Sequence, residues 1–181
     1  MEQGRLIVSE EEIQRLVVRM SGEINHFYGS RENEPPVLVL GILKGAFIFL
    51  ADLVRKLTFP MEIEFIGASS YGTALISSGN VRILYEPLSS LEGRDVLVVD
   101  ELIDTGRTLE AISGYCRETG ARSVAAAVLL DKIERRVTDY QPDFVGKAIE
   151  NVFVGGYGLD GGGYYRQYPA VSDFSKKTPV L

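Results

Sequence analysis

Between Val99 and Leu109 the chain reads Asp100-Glu101-Leu102-Ile103-Asp104-Thr105-Gly106-Arg107-Thr108, which gathers three carboxylates and two hydroxyls into nine residues. An apolar run, Val96 to Val99, enters this string, and a helical pattern reaching about Thr119 leaves it. A predicted strand thus hands over to a predicted helix, where open α/β sheets bind their ligands. Free N–H groups at a helix start, next to small side chains and hydroxyls, form an anion cradle, and Gly106 allows close backbone approach. Carboxylates beside such a cradle accept hydrogen bonds from sugar hydroxyls. A phosphate and a ribose diol bound side by side describe a ribose 5-phosphate site. The plainer alternative has Asp104 capping the helix, with Asp100 and Glu101 as solvated acids at the strand end.

The elements that must position this string follow from periodicity. Ser9 and Glu12 have capping-box spacing, and Ile13, Leu16, Val17, Met20, Ile24 and Phe27 recur at helical period, predicting an amphipathic helix over 10–28. Val37 to Leu43 is an unbroken apolar run, as expected of a strand buried on both faces, and Ala46 to Leu57 returns to helical length. Strands are predicted over Met61 to Ala68, Val81 to Tyr85 and Val124 to Leu130, with Tyr71 to Asn80 as a polar loop and candidate lid. Apolar strands alternating with helices give an α/β fold with an open, mainly parallel sheet. The C-terminal fifth, with short strands at Phe144 to Ile149 and Val152 to Val154, a glycine cluster and several tyrosines, reads as a small accessory layer.

Composition narrows the chemistry. The 181 residues are 45% hydrophobic and 24% charged, with one Cys, one His and no Trp. One thiol (Cys116) and one imidazole (His26) exclude an intrachain disulfide and a Cys/His zinc site. No stretch approaches the roughly 20 apolar residues of a membrane helix, and the start Met1-Glu2-Gln3 lacks the basic region of a signal peptide, so the expectation is cytoplasmic. A net charge of −6 and a pI near 4.9 argue against a nucleic-acid surface. His26 reads as a helix-surface residue and Cys116 as a small core hydrophobe.

The string Val96 to Leu109 resembles the phosphoribosyl-diphosphate binding signature of the type I phosphoribosyltransferases. Further segments resemble the hypoxanthine (hypoxanthine-guanine) phosphoribosyltransferases in order along residues 5–170. They are Leu43-Lys44-Gly45, Ser69-Ser70-Tyr71-Gly72, Leu129-Leu130-Asp131-Lys132, Pro142-Asp143-Phe144-Val145-Gly146, and Phe153-Val154-Gly155-Gly156-Tyr157-Gly158-Leu159-Asp160 with Tyr165-Arg166. The resemblance implies the type I phosphoribosyltransferase fold in one domain, 1–181, its hood formed largely by about 140–181 and the N-terminal segment.

Carried over residue by residue, the resemblance implies that Asp100 and Glu101 face the ribose hydroxyls and metal. Asp104, Thr105, Gly106, Arg107 and Thr108 would hold the 5-phosphate, with Asp104 also the catalytic acid or base near purine N7. Lys44, Gly45, Ser70, Tyr71 and Arg166 would meet the pyrophosphate, Lys44 and Gly45 through an unusual cis peptide. Lys132 would read the purine 6-oxo group, Phe153 stack on the base and Val154 contact its edge; Asp100, Glu101 and Asp160 would hold Mg2+. Taken singly, Lys132 and Arg166 read as solvated charges, and Phe153 reads equally as a core aromatic. The implied partners are a purine base and phosphoribosyl diphosphate, with the chain as a homo-oligomer, dimer or tetramer.

Two departures from the family pattern stand out. The acid pair runs Asp-Glu where these enzymes usually read Glu-Asp. Lys147, Glu150, Asn151 and Val152 replace an apolar, Pro-Asp and basic stretch, so the usual lysine beside the base pocket is absent. Two competing readings are weaker. Gly156 to Gly161 satisfies G-x-G-x-x-G, but Gly162-Gly163-Tyr164-Tyr165 follows where a dinucleotide site needs a helix. An RNA-binding attenuation regulator on the same fold would need a basic face.

Overall fold

The computed structural model describes residues 4–29, 31, 34–69, 81–161 and 163–175. Strands β1 (Arg5–Val8), β2 (Val37–Leu43), β3 (Met61–Ser69), β4 (Arg82–Tyr85), β5 (Asp95–Ile103), β6 (Ser123–Asp131), β7 (Phe144–Ala148), β8 (Val154–Gly155) and β9 (Val171–Asp173) accompany helices α1 (Glu10–Tyr28), α2 (Phe47–Val54) and α3 (Arg107–Glu118). Six strands form one sheet in the order β4-β3-β2-β5-β6-β7, parallel throughout except for the antiparallel edge strand β4.

The continuous apolar runs exist because both faces of this sheet are covered. In β2, Val37 and Val39 join the cluster under α1 and α2, while Leu38, Leu40 and Ile42 join the one under α3; Leu97 and Val99 against Val96 and Val98 divide β5 the same way. Chain order leaves β2 toward β3 on one side and β5 toward β6 on the other, so the sheet reverses direction between β2 and β5. The crevice beyond their carboxyl ends is the ligand position of an open sheet.

Helix α1 begins as its spacing predicts, with Ser9 Oγ accepting from the Glu12 N–H at 3.2 Å. The Glu12 carboxylate does not reach back; it takes Lys147 Nζ at 2.5 Å instead. Phe27 is 58% exposed and Tyr28 takes the buried position, four residues beyond Ile24. Helix α2 is shorter than its apolar stretch, ending at Val54. His26 is exposed and Cys116 fully buried.

A second, three-stranded sheet, β1-β9-β8, makes the hood. Its Val8, Val154 and Val171 are continuous with the core beneath α1 and α2, and Tyr157 Oη donates to Asp52 Oδ2 of α2 at 2.6 Å. One expectation is corrected: Phe144–Ala148 belongs to the main sheet and not to the hood, because it pairs in parallel with β6 (Ala127 with Phe144, Leu130 with Lys147).

At the opposite end of the sheet from the crevice, Asp95 opens β5 with its carboxylate buried. Arg122 Nε donates to it at 2.9 Å and Ser123 Oγ at 2.7 Å, Arg31 pairs with it as well, and Glu34 bridges both arginines. Hydrogen bonds from Arg122, then Ser123 and Arg31, hold this carboxyl far below the usual carboxylate range against the opposing effect of burial. A depressed acid contributes stability above its unfolded value of about 4 and loses that contribution as pH falls through and below it. Asp95→Asn is expected to cost about 3 kcal/mol at pH 7 by leaving the buried Arg31 with only the partly exposed Glu34 as its counter-charge. Urea denaturation should show the gap to wild type narrowing toward pH 2; an unchanged gap rules out the charge as its origin.

Candidate active site

The acid pair lies inside β5 and not beyond it. Pairing with β6 continues through Asp100 with Val128, Leu102 with Leu130 and Ile103 with Asp131. Asp100 Oδ1 accepts the Glu101 N–H at 3.0 Å. Burial pushes both carboxyls up, Asp100 well above the usual range with the Glu101 charge adding to the shift; for Glu101 the Asp100 hydrogen bond and Arg166 pull the other way. Such a pair sheds its charge unless a cation or a row of donors meets it. Glu101 Oε2 is buried without a hydrogen-bond partner among the described residues.

Gly45 is where the β2 loop meets this pair. A Cβ there would sit 1.7 Å from Glu101 Oε1, so only a bare Cα leaves the carboxylate its place. The Leu43–Lys44 peptide just before it is cis, as the resemblance implies, and Lys44 is exposed. From the hood, Gly158 approaches Gly45 just as closely: φ is +96°, and a Cβ would lie 2.1 Å from the Gly45 carbonyl oxygen. Arg166 fixes that approach by donating to the Gly158 carbonyl at 2.6 Å and to Asp160 Oδ1 at 2.7 Å. Asp160 Oδ2 accepts from the Gly163 N–H at 2.6 Å. Arg166 and Asp160, expected at pyrophosphate and metal, thus stand paired with each other.

The anion cradle forms as its residue types suggest. Gly106, at φ +88°, is the N-cap of α3 and carries no side-chain cap, so Asp104 does not cap the helix. Glu110 N–H makes the first helical bond, to the Gly106 carbonyl at 3.0 Å; the amides of Arg107, Thr108 and Leu109 precede any intrahelical acceptor. The segment after β6 braces the loop from behind. Lys132 N–H donates to the Ile103 carbonyl and Val137 N–H to that of Thr105, each at 3.0 Å, and a Cβ on Gly106 would strike Thr138 Oγ1 at 2.3 Å and Arg136 Cδ at 2.7 Å. Arg136 is itself anchored, on Asp131 Oδ1 and the Tyr140 carbonyl, both at 2.5 Å.

A cavity of about 380 Å³ opens beside the cradle. Asp104, Lys132 and Arg135 line it together with Phe153, Val154 and Leu159, and Glu101 and Asp160 reach it too. Lys132 is only 5% exposed, its Nζ 4.0 Å from Asp104 Oδ2. Burial pulls its pKa down, Asp104 raises it and Arg135 lowers it further. Phe153 is half exposed, its N–H bonded to Ser175 Oγ at 2.9 Å and its carbonyl to the Phe174 N–H at 2.7 Å. Ser70, Tyr71 and the lid expected over Tyr71 to Asn80 lie outside the described residues.

The three expected metal ligands do not converge. Among the described residues no three acidic, His or Cys groups are arranged to hold an ion. A hard cation such as Mg2+ takes only one or two carboxylates where phosphate oxygens and water complete its shell, and the unpartnered Glu101 Oε2 suits that chemistry. Sequence reasoning missed Arg135, Asn151, Leu159 and Ser175 as cavity residues. For Arg135 the three-residue spacing from Lys132 gave no signal by itself; the 3-10 turn Ile133–Arg135, capped by Lys132, in which residues three apart lie over one another, appears only in the structure.

This fold, with an anion cradle at the switch point and a cation-walled cavity under a hood, defines a type I phosphoribosyltransferase. The family model "Phosphoribosyl transferase domain" matches residues 9–161. The hypoxanthine-guanine phosphoribosyltransferases of Aquifex aeolicus and Bacillus subtilis are 42% and 39% identical to the chain over 92% of its length, covering 92% and 91% of theirs. A crystal structure of a hypoxanthine phosphoribosyltransferase from Staphylococcus aureus superposes with a TM-score of 0.87 at 33% identity, covering 94% of this chain and 91% of that one. The chain belongs to the hypoxanthine-guanine phosphoribosyltransferases.

The two close glycines should fail differently. At Gly45 the obstacle is the end of a flexible side chain, so Gly45→Ala is expected to keep stability within about 1 kcal/mol while displacing Glu101 and lowering turnover. At Gly158 the obstacle is backbone and φ is positive, so Gly158→Ala should cost at least about 2 kcal/mol. Thermal melts paired with initial rates distinguish the two.

Proposed function

We propose that the chain is a purine salvage enzyme. It transfers the 5-phosphoribosyl group of phosphoribosyl diphosphate to hypoxanthine and guanine, forming IMP or GMP and pyrophosphate. The observation that carries this reading is the Asp104–Lys132–Arg135 wall facing Phe153 and Val154 beside the amides that open α3.

Thr105, Gly106, Arg107 and Thr108 hold the 5-phosphate with amides and hydroxyls, and Asp100 and Glu101 accept from the ribose hydroxyls. The base stacks on Phe153, with Val154 at its edge. Lys132 donates to the 6-oxo oxygen, and the N7 proton faces Asp104, because O6 and N7 share one edge of the purine. As the N9 lone pair forms its bond to C1, the C1–O bond to the diphosphate breaks and the N7 proton passes to the Asp104 carboxylate. Lys44, Gly45 and Arg166 meet the departing pyrophosphate, as do Ser70 and Tyr71. Glu101, with Asp100 and Asp160 near it, would hold Mg2+, whose chemistry would be charge neutralisation for the leaving group. The reading places the enzyme in the cytoplasm as a homo-oligomer; no helix among the described residues is long and apolar enough to cross a membrane. The RNA-binding alternative gains no support, since the relatives compared are enzymes.

A buried ammonium that only donates disfavours the 6-amino group of adenine by about 1–3 kcal/mol, roughly 5- to 150-fold. Labelled hypoxanthine, guanine and adenine compared in turnover should show that preference, and Lys132→Ala should erode it by weakening use of the 6-oxopurines. Equal use of adenine and hypoxanthine would refute this role for Lys132. Exhaustive chelation should abolish turnover and added magnesium restore it.

A further inference from the structure

Among the described residues Asp104 Oδ1 is buried and receives no hydrogen bond of good geometry; the cation that reaches it is Arg135, whose Nε lies 3.0 Å away. Asp104 Oδ2 points to the other cation, Lys132 Nζ, at 4.0 Å. The two carboxylate oxygens are therefore divided between two cations that one short turn carries. Lys132 cannot remain the keeper of Asp104 during the reaction, because its ammonium is required at the purine 6-oxo oxygen. Arg135 remains, on the oxygen turned away from Lys132.

We infer that Arg135 is a positioning residue for proton transfer: it anchors Oδ1 of Asp104 and thereby presents Oδ2 to the purine edge that carries O6 and N7. The inference rests on the role proposed above for Asp104. It also gives the cavity a second cation beside Lys132, carried on the turn after β6. Because the Arg135 side chain is about half exposed, replacing it opens no hole in the core.

The test is a double-mutant cycle read by single-turnover formation of IMP. Arg135→Gln is expected to lower the rate about 10- to 100-fold, as displacement of a proton-transfer group does, with KM for phosphoribosyl diphosphate nearly unchanged. On the Asp104→Asn background, itself about 100- to 10,000-fold slow, the same substitution should cost less than about twofold. Arg135→Lys, which keeps the charge, should recover part of the loss. Equal losses from Arg135→Gln on both backgrounds, or a rate unchanged or raised in the otherwise wild-type enzyme, overturn the inference while leaving Asp104 its role. A wild-type rate in Asp104→Asn overturns that role and the inference together.

Discussion

The close approach of Gly45 and Gly158 is the constraint from which the site follows. It brings the loop after β2 against the hood with no side chain between them, and the Glu101 carboxylate fills the space that a Cβ on Gly45 would occupy. Three stretches of chain more than fifty residues apart in sequence are thereby set within atomic contact: the β2 loop, the end of β5 and the Gly158 turn. Arg166 closes the arrangement from the hood side. Fixing these backbones leaves the acid pair buried at the crevice, where its carboxylates stay poorly solvated until something charged or donating arrives.

A protein with a net charge of −6 that binds a polyanion must solve its electrostatics locally. Lys44, Lys132, Arg135 and Arg166 come from three separate segments, and the last three pair with carboxylates. This pairing keeps the cations oriented at the site.

Elements marked by their own apolar pattern were legible in the sequence. Glu10–Tyr28 and Val37–Leu43 follow from period 3.6 and from an unbroken run. The cradle was legible because its chemistry is local, with residues 104–108 contiguous. Errors arose where a distant partner overrode composition. Two acids suggested that β5 stops at Val99, but β6 continues to pair with it to Ile103. Phe144–Ala148 looked like part of the terminal layer because its parallel partner cannot be read from its own residues. Arg135 was passed over because a lone arginine after a strand resembles any solvated charge; the turn that stacks it over Lys132 is tertiary information.

The hood has a consequence for how the enzyme comes into being. Its sheet joins β1 to β9, with Arg5 opposite Asp173, and β8, which carries Val154, pairs among the described residues only with β9. The parallel sheet can assemble from β2 to β7 while the chain is still being made, since domains condense as their contacts become available. The wall that faces Lys132 depends on β9. The most sequence-distant contacts, the slowest to close, are thus the ones that set a second wall opposite Lys132, beside a cradle built from shorter-range contacts.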